Sequence, residues 1–132
     1  RCAIVTGVQT CALPIWGIRS LQVASGGPSD LLSLRWGRPF VHEILDDSYR
    51  SIYRKEYEER TLVELINLDG GAWEIIERRD GAARILDLQD NTLNTLTVRG
   101  DEVVNWRVTD LEGDGRDEVI LIGREKVERF SY

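Results

Sequence analysis

The chain has 132 residues, a formal net charge of −6 at pH 7 and a hydrophobic content of 42%. This composition is typical of a soluble globular domain and not of a disordered chain. An acidic domain lacks the basic surface that phosphate backbones require, so we expect no nucleic acid among its partners. No apolar run approaches the roughly 18 residues of a transmembrane helix, so we expect no membrane span.

Residues 1–15 show neither the alternation of a strand nor the period of a helix. Written back as codons, VTGVQTCALPI (residues 5–15) resembles a standard short-read sequencing adapter. Polar residues interrupt any continuous apolar core, which argues against a secretory signal. We therefore expect this segment to be adapter-derived and to pack poorly, which leaves residues 16–132 as the native domain. Both cysteines, Cys2 and Cys11, fall in residues 1–15, so the domain offers neither a disulfide nor a thiol nucleophile.

A long-period repeat runs through the domain. Gly27, Gly71 and Gly115 recur at a spacing of 44 residues, and each is followed at the same offset by an acid and an apolar pair. Each copy then continues through turn residues into a second stretch of alternating apolar side chains, which predicts a hairpin. The acid and the pair are Asp30 with Leu31-Leu32, Glu74 with Ile75-Ile76, and Glu118 with Val119-Ile120.

Two further extended stretches lie between consecutive hairpins: RSIYRKEY and TLVELINL in the first interval, TLNTLTVR and EVVNWRVTD in the second. Residues 49–60 alone could form a helix, because Tyr49, Ile52, Tyr53 and Tyr57 fall at helical spacing. The repeat register aligns this segment with the β-rich TLNTLTVR. We therefore predict a strand.

Four strands in each 40–45 residues are typical of β-propeller blades. The alternative is a β-sandwich, whose strands also recur at short intervals. We predict an all-β fold of about ten short strands in consecutive four-stranded antiparallel meanders, a partial β-propeller of two to three blades. Closed propellers need about four to eight blades, so we expect the chain to be part of a longer protein.

The segment DLEGDGRDEVIL, residues 110–121, carries the clearest chemistry. Its acids alternate, so that a tightly turning loop directs them to one point, and Gly113 and Gly115 permit the positive φ of such a turn. Ca²⁺ takes six to eight oxygens. An EF-hand would need a bidentate Glu where Leu121 stands, and we expect Asp117 to be an exposed charge. The candidate ligands are Asp110, Glu112, Asp114, Glu118 and the main-chain carbonyl of Arg116.

This loop resembles the D-x-D-G-D-G-x-x-D loop of FG-GAP/VCBS-type repeats, the calcium-binding propeller blades also found in integrin α-subunit heads. Glu replaces Asp at positions 112 and 118. The resemblance implies that the same five residues hold one Ca²⁺ ion, and that the protein is extracytoplasmic, where free calcium is high. The other two copies lack the ligands, since their first, third and fifth positions hold Gln22, Ala24 and Gly26, and Ile66, Leu68 and Gly70.

The remaining candidate residues are expected to have structural roles and not catalytic ones. His42 alternates with Phe40 and Ile44, which predicts a packing residue. The tryptophans are expected in the core or between blades, and the alternative is a platform for carbohydrate. The charges of Arg54, Lys55, Glu56, Glu58 and Glu59 predict a solvated strand face or edge. No convergent set of His, Lys, Tyr or acidic groups at a channel end is visible. We expect a non-enzymatic, calcium-stabilised module that binds a protein or carbohydrate ligand. The alternative is part of a propeller enzyme acting on polysaccharide, with its active site outside this chain.

Overall fold

The structure is a computed structural model, and it describes residues 4–5, 8–9, 18–25, 30–37 and 40–131. All regular elements in these ranges are β-strands, which confirms the all-β prediction. The same ranges hold no helix of the length and apolar character needed to cross a bilayer. The strands are β1 (Ile4–Val5), β2 (Val8–Gln9), β3 (Ile18–Ala24), β4 (Leu31–Trp36), β5 (Phe40–Leu45), β6 (Ser51–Tyr57), β7 (Val63–Ile66), β8 (Glu74–Arg79), β9 (Ala82–Leu86), β10 (Thr92–Leu96), β11 (Asn105–Thr109), β12 (Glu118–Ile122) and β13 (Val127–Phe130).

The described strands form three antiparallel meander sheets in chain order, together with the short pair β1–β2. The first sheet is β3-β4-β5-β6, the second is β7-β8-β9-β10 and the third is β11-β12-β13. Each strand pairs with its neighbours in sequence, as a meander requires. The predicted consecutive meanders are therefore confirmed, with three strands in the described part of the third sheet instead of four.

The predicted hairpins are β4–β5, β8–β9 and β12–β13. In the second, the pair Arg79–Ala82 is joined by Asp80 and Gly81, whose φ angles are 52° and 75°. Two central residues with positive φ make a type I′ turn, whose twist matches that of the strands. A Cβ atom at position 81 would also lie 3.3 Å from Cγ of Glu102, so glycine suits both the backbone and the space.

Residues 51–57 form strand β6, as the repeat register predicts. Tyr53 pairs with Ile44, Lys55 with His42 and Tyr57 with Phe40 across the β5–β6 ladder. Tyr53 and Tyr57 are four residues apart, a spacing that places side chains on one face of either a strand or a helix. Pairing with β5 decides between the two.

The second sheet packs between the other two sheets. Ile75 contributes to its contact with the first sheet and Ile76 to its contact with the third, and both side chains are fully buried. Each such burial is worth roughly 1.5–3 kcal/mol. We call these contacts the first interface and the second interface. The first interface contains Ala24, Leu31, Ile44, Tyr53, Leu65, Trp73, Ile75 and Leu86. The second contains Ile66, Leu68, Ile76, Ala83, Ile85, Leu96, Val98, Val103, Trp106, Val119 and Leu121.

The segment of residues 1–15 enters the description only through β1 and β2, which pair with each other in a sheet of their own. The rest of that segment, together with Trp16 and Gly27, lies outside the described residues. Its adapter origin and its poor packing stay predictions.

Candidate functional site

The segment of residues 110–118, which we call the acidic loop, connects β11 to the start of β12 in the third sheet. Gly113 and Gly115 have φ angles of 68° and 81°, as the sequence predicts for a tight turn. A Cβ atom at either position would meet nothing within 4 Å. The requirement for glycine is therefore conformational and not steric, since only glycine adopts this region without strain.

The carboxylate of Asp110 organises the backbone of this loop. Its Oδ1 accepts a hydrogen bond of 3.1 Å from the Asp114 N–H, and its Oδ2 accepts one of 2.8 Å from the Gly115 N–H. The backbone N–H of Gly115 is the main cause that lowers the pKa of Asp110, because it favours the ionised form. Asp114 in turn accepts from the Arg116 N–H at 3.0 Å. The loop thus wraps around its first acid.

The other two acidic candidate ligands, Glu112 and Glu118, lie beside the basic side chain of Arg129. Nη2 of Arg129 on β13 lies 3.4 Å from Oε1 of Glu118 and 3.6 Å from Oε1 of Glu112. Glu118 is buried, and its second oxygen accepts a 2.7 Å hydrogen bond from the Leu111 N–H. Arg129 therefore supplies a positive charge among carboxylates that would otherwise repel one another.

The acidic loop suits Ca²⁺ in the chemistry of its donors but not in the arrangement of its side chains. Its oxygen donors are those that Ca²⁺ prefers, and its backbone already curves around Asp110. Within the described ranges, however, no three His, Cys, Asp or Glu side chains are grouped so that they could hold a metal ion. An ion bound by Glu112 and Glu118 would compete with Arg129 for these carboxylates.

Asp117 differs from its prediction as an exposed charge. Its side chain is half-buried against the second sheet, where its Oδ2 accepts a 2.8 Å hydrogen bond from the Asn67 N–H. The Asp117 N–H donates in return to the Asn67 carbonyl at 2.6 Å. That prediction is wrong because the adjacent sheet covers the side chain. Asp117 joins the acidic loop to the second interface.

A second polar cluster lies at the first interface, and the sequence analysis missed it. Glu77 on β8 is 1% exposed, and its Oε2 lies 3.0 Å from Nζ of Lys55 and accepts a hydrogen bond from Tyr57. Nη2 of Arg84 lies 3.4 Å from Oε1 of the same carboxylate. Nζ of Lys55 also lies 2.9 Å from Asp90. A buried carboxylate is thus surrounded by two cations and a hydroxyl, as its desolvation demands.

The prediction of a solvated strand face or edge is confirmed for the exposed Arg54, Glu56, Glu58 and Glu59 and is wrong for Lys55. Lys55 is not part of a solvated face, because its ammonium group reaches across to the second sheet. Acidic, basic and tyrosine side chains do converge here. Burial, followed by the hydrogen bond to Glu77, raises the pKa of Tyr57, and burial with the charge of Asp90 raises that of Tyr53. Both hydroxyls stay protonated at neutral pH. The available signal was the alternation of residues 53, 55 and 57 on one face of β6.

The prediction that His42 is a packing residue is confirmed. Its side chain is fully buried, and its Nε2 lies 2.7 Å from Oγ of Ser33. Burial is the main cause that lowers its pKa to about 4, so the ring is neutral at pH 7. Trp73 and Trp106 are buried in the two cores as predicted, whereas Trp36 is half-buried.

Comparison of the chain with protein-family models, with curated proteins and with solved structures finds no match in any of the three. The resemblance of residues 110–118 to the FG-GAP/VCBS loop therefore depends on the residues of the loop and on the repeat.

Proposed function

We propose that the protein is a calcium-stabilised, propeller-type repeat module that binds a protein or carbohydrate ligand outside the cytoplasm. One observation carries this proposal: consecutive meander sheets recur with the 44-residue period and stack face to face. Stacking of that kind is how propeller blades bury both faces of each sheet. The acidic loop, with its backbone folded around Asp110, supports the calcium part of the proposal.

In this proposal Asp110, Glu112, Asp114, Glu118 and the main-chain carbonyl of Arg116 hold the ion. The ion supplies a positive charge that ties the loop to the start of β12, where Glu118 is buried. Asp117 then links the ordered loop to the second sheet through its hydrogen bonds with Asn67. The role of calcium is to hold two sheets in register and not to activate a reactant. Modules outside the cell commonly bind Ca²⁺ at about 10⁻⁴–10⁻³ M, which is why we place the protein there.

Titration calorimetry of the full chain with CaCl₂ tests the proposal. We expect binding at about 10⁻⁴–10⁻³ M and, at millimolar calcium, roughly 0.5–1.5 kcal/mol of added stability. Asp114→Ala should abolish the binding. Glu58→Ala removes an exposed acid on the β6–β7 connection and serves as the matched control. Absence of any calcium-dependent heat in the full chain at millimolar concentration would refute the calcium part.

Calcium titration of an Arg129 variant makes the same experiment more specific. Since this guanidinium lies beside Glu112 and Glu118, it competes with the ion for both carboxylates. Exposed ion pairs are worth about 0.2–1 kcal/mol, so Arg129→Gln should tighten calcium binding by about twofold to fivefold. Arg124→Gln, whose ion-pair partner is Glu102, should leave the affinity unchanged. A weaker affinity in Arg129→Gln would contradict the competition.

A second candidate function is an enzyme acting on polysaccharide. It is favoured by the cleft of about 950 Å³ bordered by Lys55, Tyr57 and Glu77, side-chain types that serve in acid–base catalysis. Product formation from soluble polysaccharides by the full chain, and its loss in Tyr57→Phe, would support this candidate. Equal turnover by Tyr57→Phe would remove Tyr57 from any catalytic role.

A further inference from the structure

The third sheet differs from the other two sheets in its outermost strand. In the first and second sheets the fourth strand, β6 or β10, pairs antiparallel with the third strand. In the described part of the third sheet the third strand, β13, is itself the edge. The backbone N–H and C=O groups that point away from β12 therefore have no described strand to pair with. Groups of this kind are a template for a further strand.

The edge of β13 is also more regular than the edges of β6 and β10. The β5–β6 ladder shifts register between Ile44 and Leu45, and the β9–β10 ladder shifts between Thr92 and Asn94. The β12–β13 ladder runs without a register shift. Bulges twist an edge away from unwanted pairing, and β13 lacks that protection. Its first side chain, Val127, is apolar and 64% exposed.

A small cavity lies between β13 and the end of β10. It has a volume of about 220 Å³, and the apolar part of its lining consists of Leu96, Leu121 and Phe130. Leu96 and Leu121 belong to the second interface, and Phe130 packs against it. A side chain that entered this cavity from a strand beside β13 would therefore continue an apolar core that the protein already has.

The charges of β13 favour a strand from a different protein over a second copy of this chain. Glu128 lies opposite Leu121 of the second interface, so it faces the second sheet, and Arg129 faces the other way. If two copies paired through β13 about a two-fold axis, the registers that pair most of the strand would set Glu128 or Arg129 opposite its own counterpart. Like charges directly opposite each other are destabilising. A different strand can instead place an opposite charge at each position.

We infer that β13 binds an extended peptide segment of another protein as the fourth antiparallel strand of the third sheet. The segment carries an acid opposite Arg129, a base opposite Glu128 and a large apolar side chain that enters the cavity beside Phe130. Backbone hydrogen bonds supply the affinity of such strand addition, and the alternate side chains supply its specificity. This binding rests on the proposed role as a ligand-binding module and specifies the chemistry of its protein ligand.

Amide hydrogen exchange of the full 132-residue chain, followed by NMR, tests this inference. The probe is the capped peptide Thr-Leu-Glu-Lys-Val-Thr, which sets its Leu opposite Phe130, its Glu opposite Arg129 and its Lys opposite Glu128. The matched control peptide exchanges the Glu and the Lys, so that like charges meet. We expect the probe to bind in the millimolar range, to slow exchange at β13 but not at β6, and to bind about fivefold or more tightly than the control.

Three results would overturn the proposal. They are equal affinity of the two peptides, no slowing of exchange at β13, and slow exchange at β13 that depends on protein concentration when no peptide is present. The last result would assign the edge to a second copy of the chain.

A charge-reversal variant identifies β13 as the binding edge. Glu128→Lys should weaken binding of the probe about fivefold and strengthen binding of the control peptide by a similar factor, because the control then presents its Glu to the new base. Gain of control binding also shows that the variant is folded. Glu125→Lys makes the same substitution at an exposed acid in the turn before β13, and it should bind both peptides as the unaltered chain does.

Equal behaviour of the two variants, or no gain of control binding in Glu128→Lys, would contradict the assignment to β13. Calcium titration of the unaltered chain tests the acidic loop separately. Calcium binding without peptide binding would therefore refute this inference and leave the calcium part of the proposed function intact.

Discussion

At the second interface the central sheet meets the third sheet through a core of apolar side chains, whereas at the first interface it presents the carboxylate of Glu77 to Lys55 and Tyr57. Both interfaces use neighbouring positions of the same strand, since Ile76 faces one side and Glu77 the other. The first interface therefore combines an apolar half with a polar half.

The difference has a physical consequence for the stacking of the sheets. Apolar packing is non-directional and tolerates small shifts between sheets, because its free energy follows the area removed from water. A buried carboxylate with two cations requires defined distances, and its loss of one partner is costly. We expect the second interface to contribute more apolar stabilisation. Directional contacts help to align the sheets at both interfaces: the Glu77 cluster at the first, and at the second the Asp117–Asn67 hydrogen bonds and the bond from Nε1 of Trp106 to Glu64.

The largest expected effect is at the second interface. Ile76→Ala removes a fully buried side chain from its core and should lower the free energy of unfolding by about 4 kcal/mol. Urea unfolding followed by tryptophan fluorescence measures it. Ile52→Ala makes the same substitution at a 42% exposed site and should change stability by less than about 0.5 kcal/mol. Equal effects would mean that the third sheet does not pack on Ile76.

The next largest effect is expected from a variant that disrupts the polar half of the first interface. Lys55→Met keeps the length of the side chain but leaves Glu77 with one cation, Arg84. Removing one partner from a buried charge pair should destabilise the protein by about 3 kcal/mol. Arg54→Met alters the preceding residue, which is exposed, and should cost little. If the two variants unfold at the same urea concentration, Glu77 does not depend on Lys55.

A smaller effect concerns pH. Burial, followed by the charges of Arg35 and Lys55, holds the pKa of His42 at about 4, below its usual value of 6.5. Above pH 6.5 the ring is neutral in both states; below it, the unfolded chain binds a proton that the folded chain does not. Stability is therefore lost as the pH falls from about 6.5 toward 4, by about 2 kcal/mol between pH 7 and pH 5.

Comparison with His42→Asn isolates this contribution, because the carboxylates titrate alike in both proteins. Urea unfolding at several pH values should show a weaker loss of stability on acidification in the variant. Parallel pH profiles for the two proteins would contradict the assignment of the effect to His42.

Much of the fold was accessible from the sequence. The 44-residue repeat aligns residues 51–57 with a β-rich segment, and this outweighed the helical spacing of the tyrosines. The turn at Asp80 and Gly81 was readable because few residues adopt positive φ at both positions. The acidic loop was readable because its spacing and glycines are local.

The polar contacts between sheets were not accessible in this way. Asp117 and Asn67 are fifty residues apart, and nothing in the local pattern indicates their reciprocal hydrogen bonds. Lys55 stands in a charged run that is typical of a solvated face, and only the position of β8 makes it a partner of Glu77. Arg129 approaches the acidic loop only because β13 pairs with β12.

By itself, the sequence determined the strands, their hairpins and the acidic loop, since alternation, turn chemistry and ligand spacing all act over a few residues. Only the tertiary structure decided which polar side chains are buried and what they meet. Stacking of the sheets removes water from Glu77 and Asp117, whose partners Lys55 and Asn67 are distant in the chain, whereas the buried His42 meets Ser33 on the neighbouring strand.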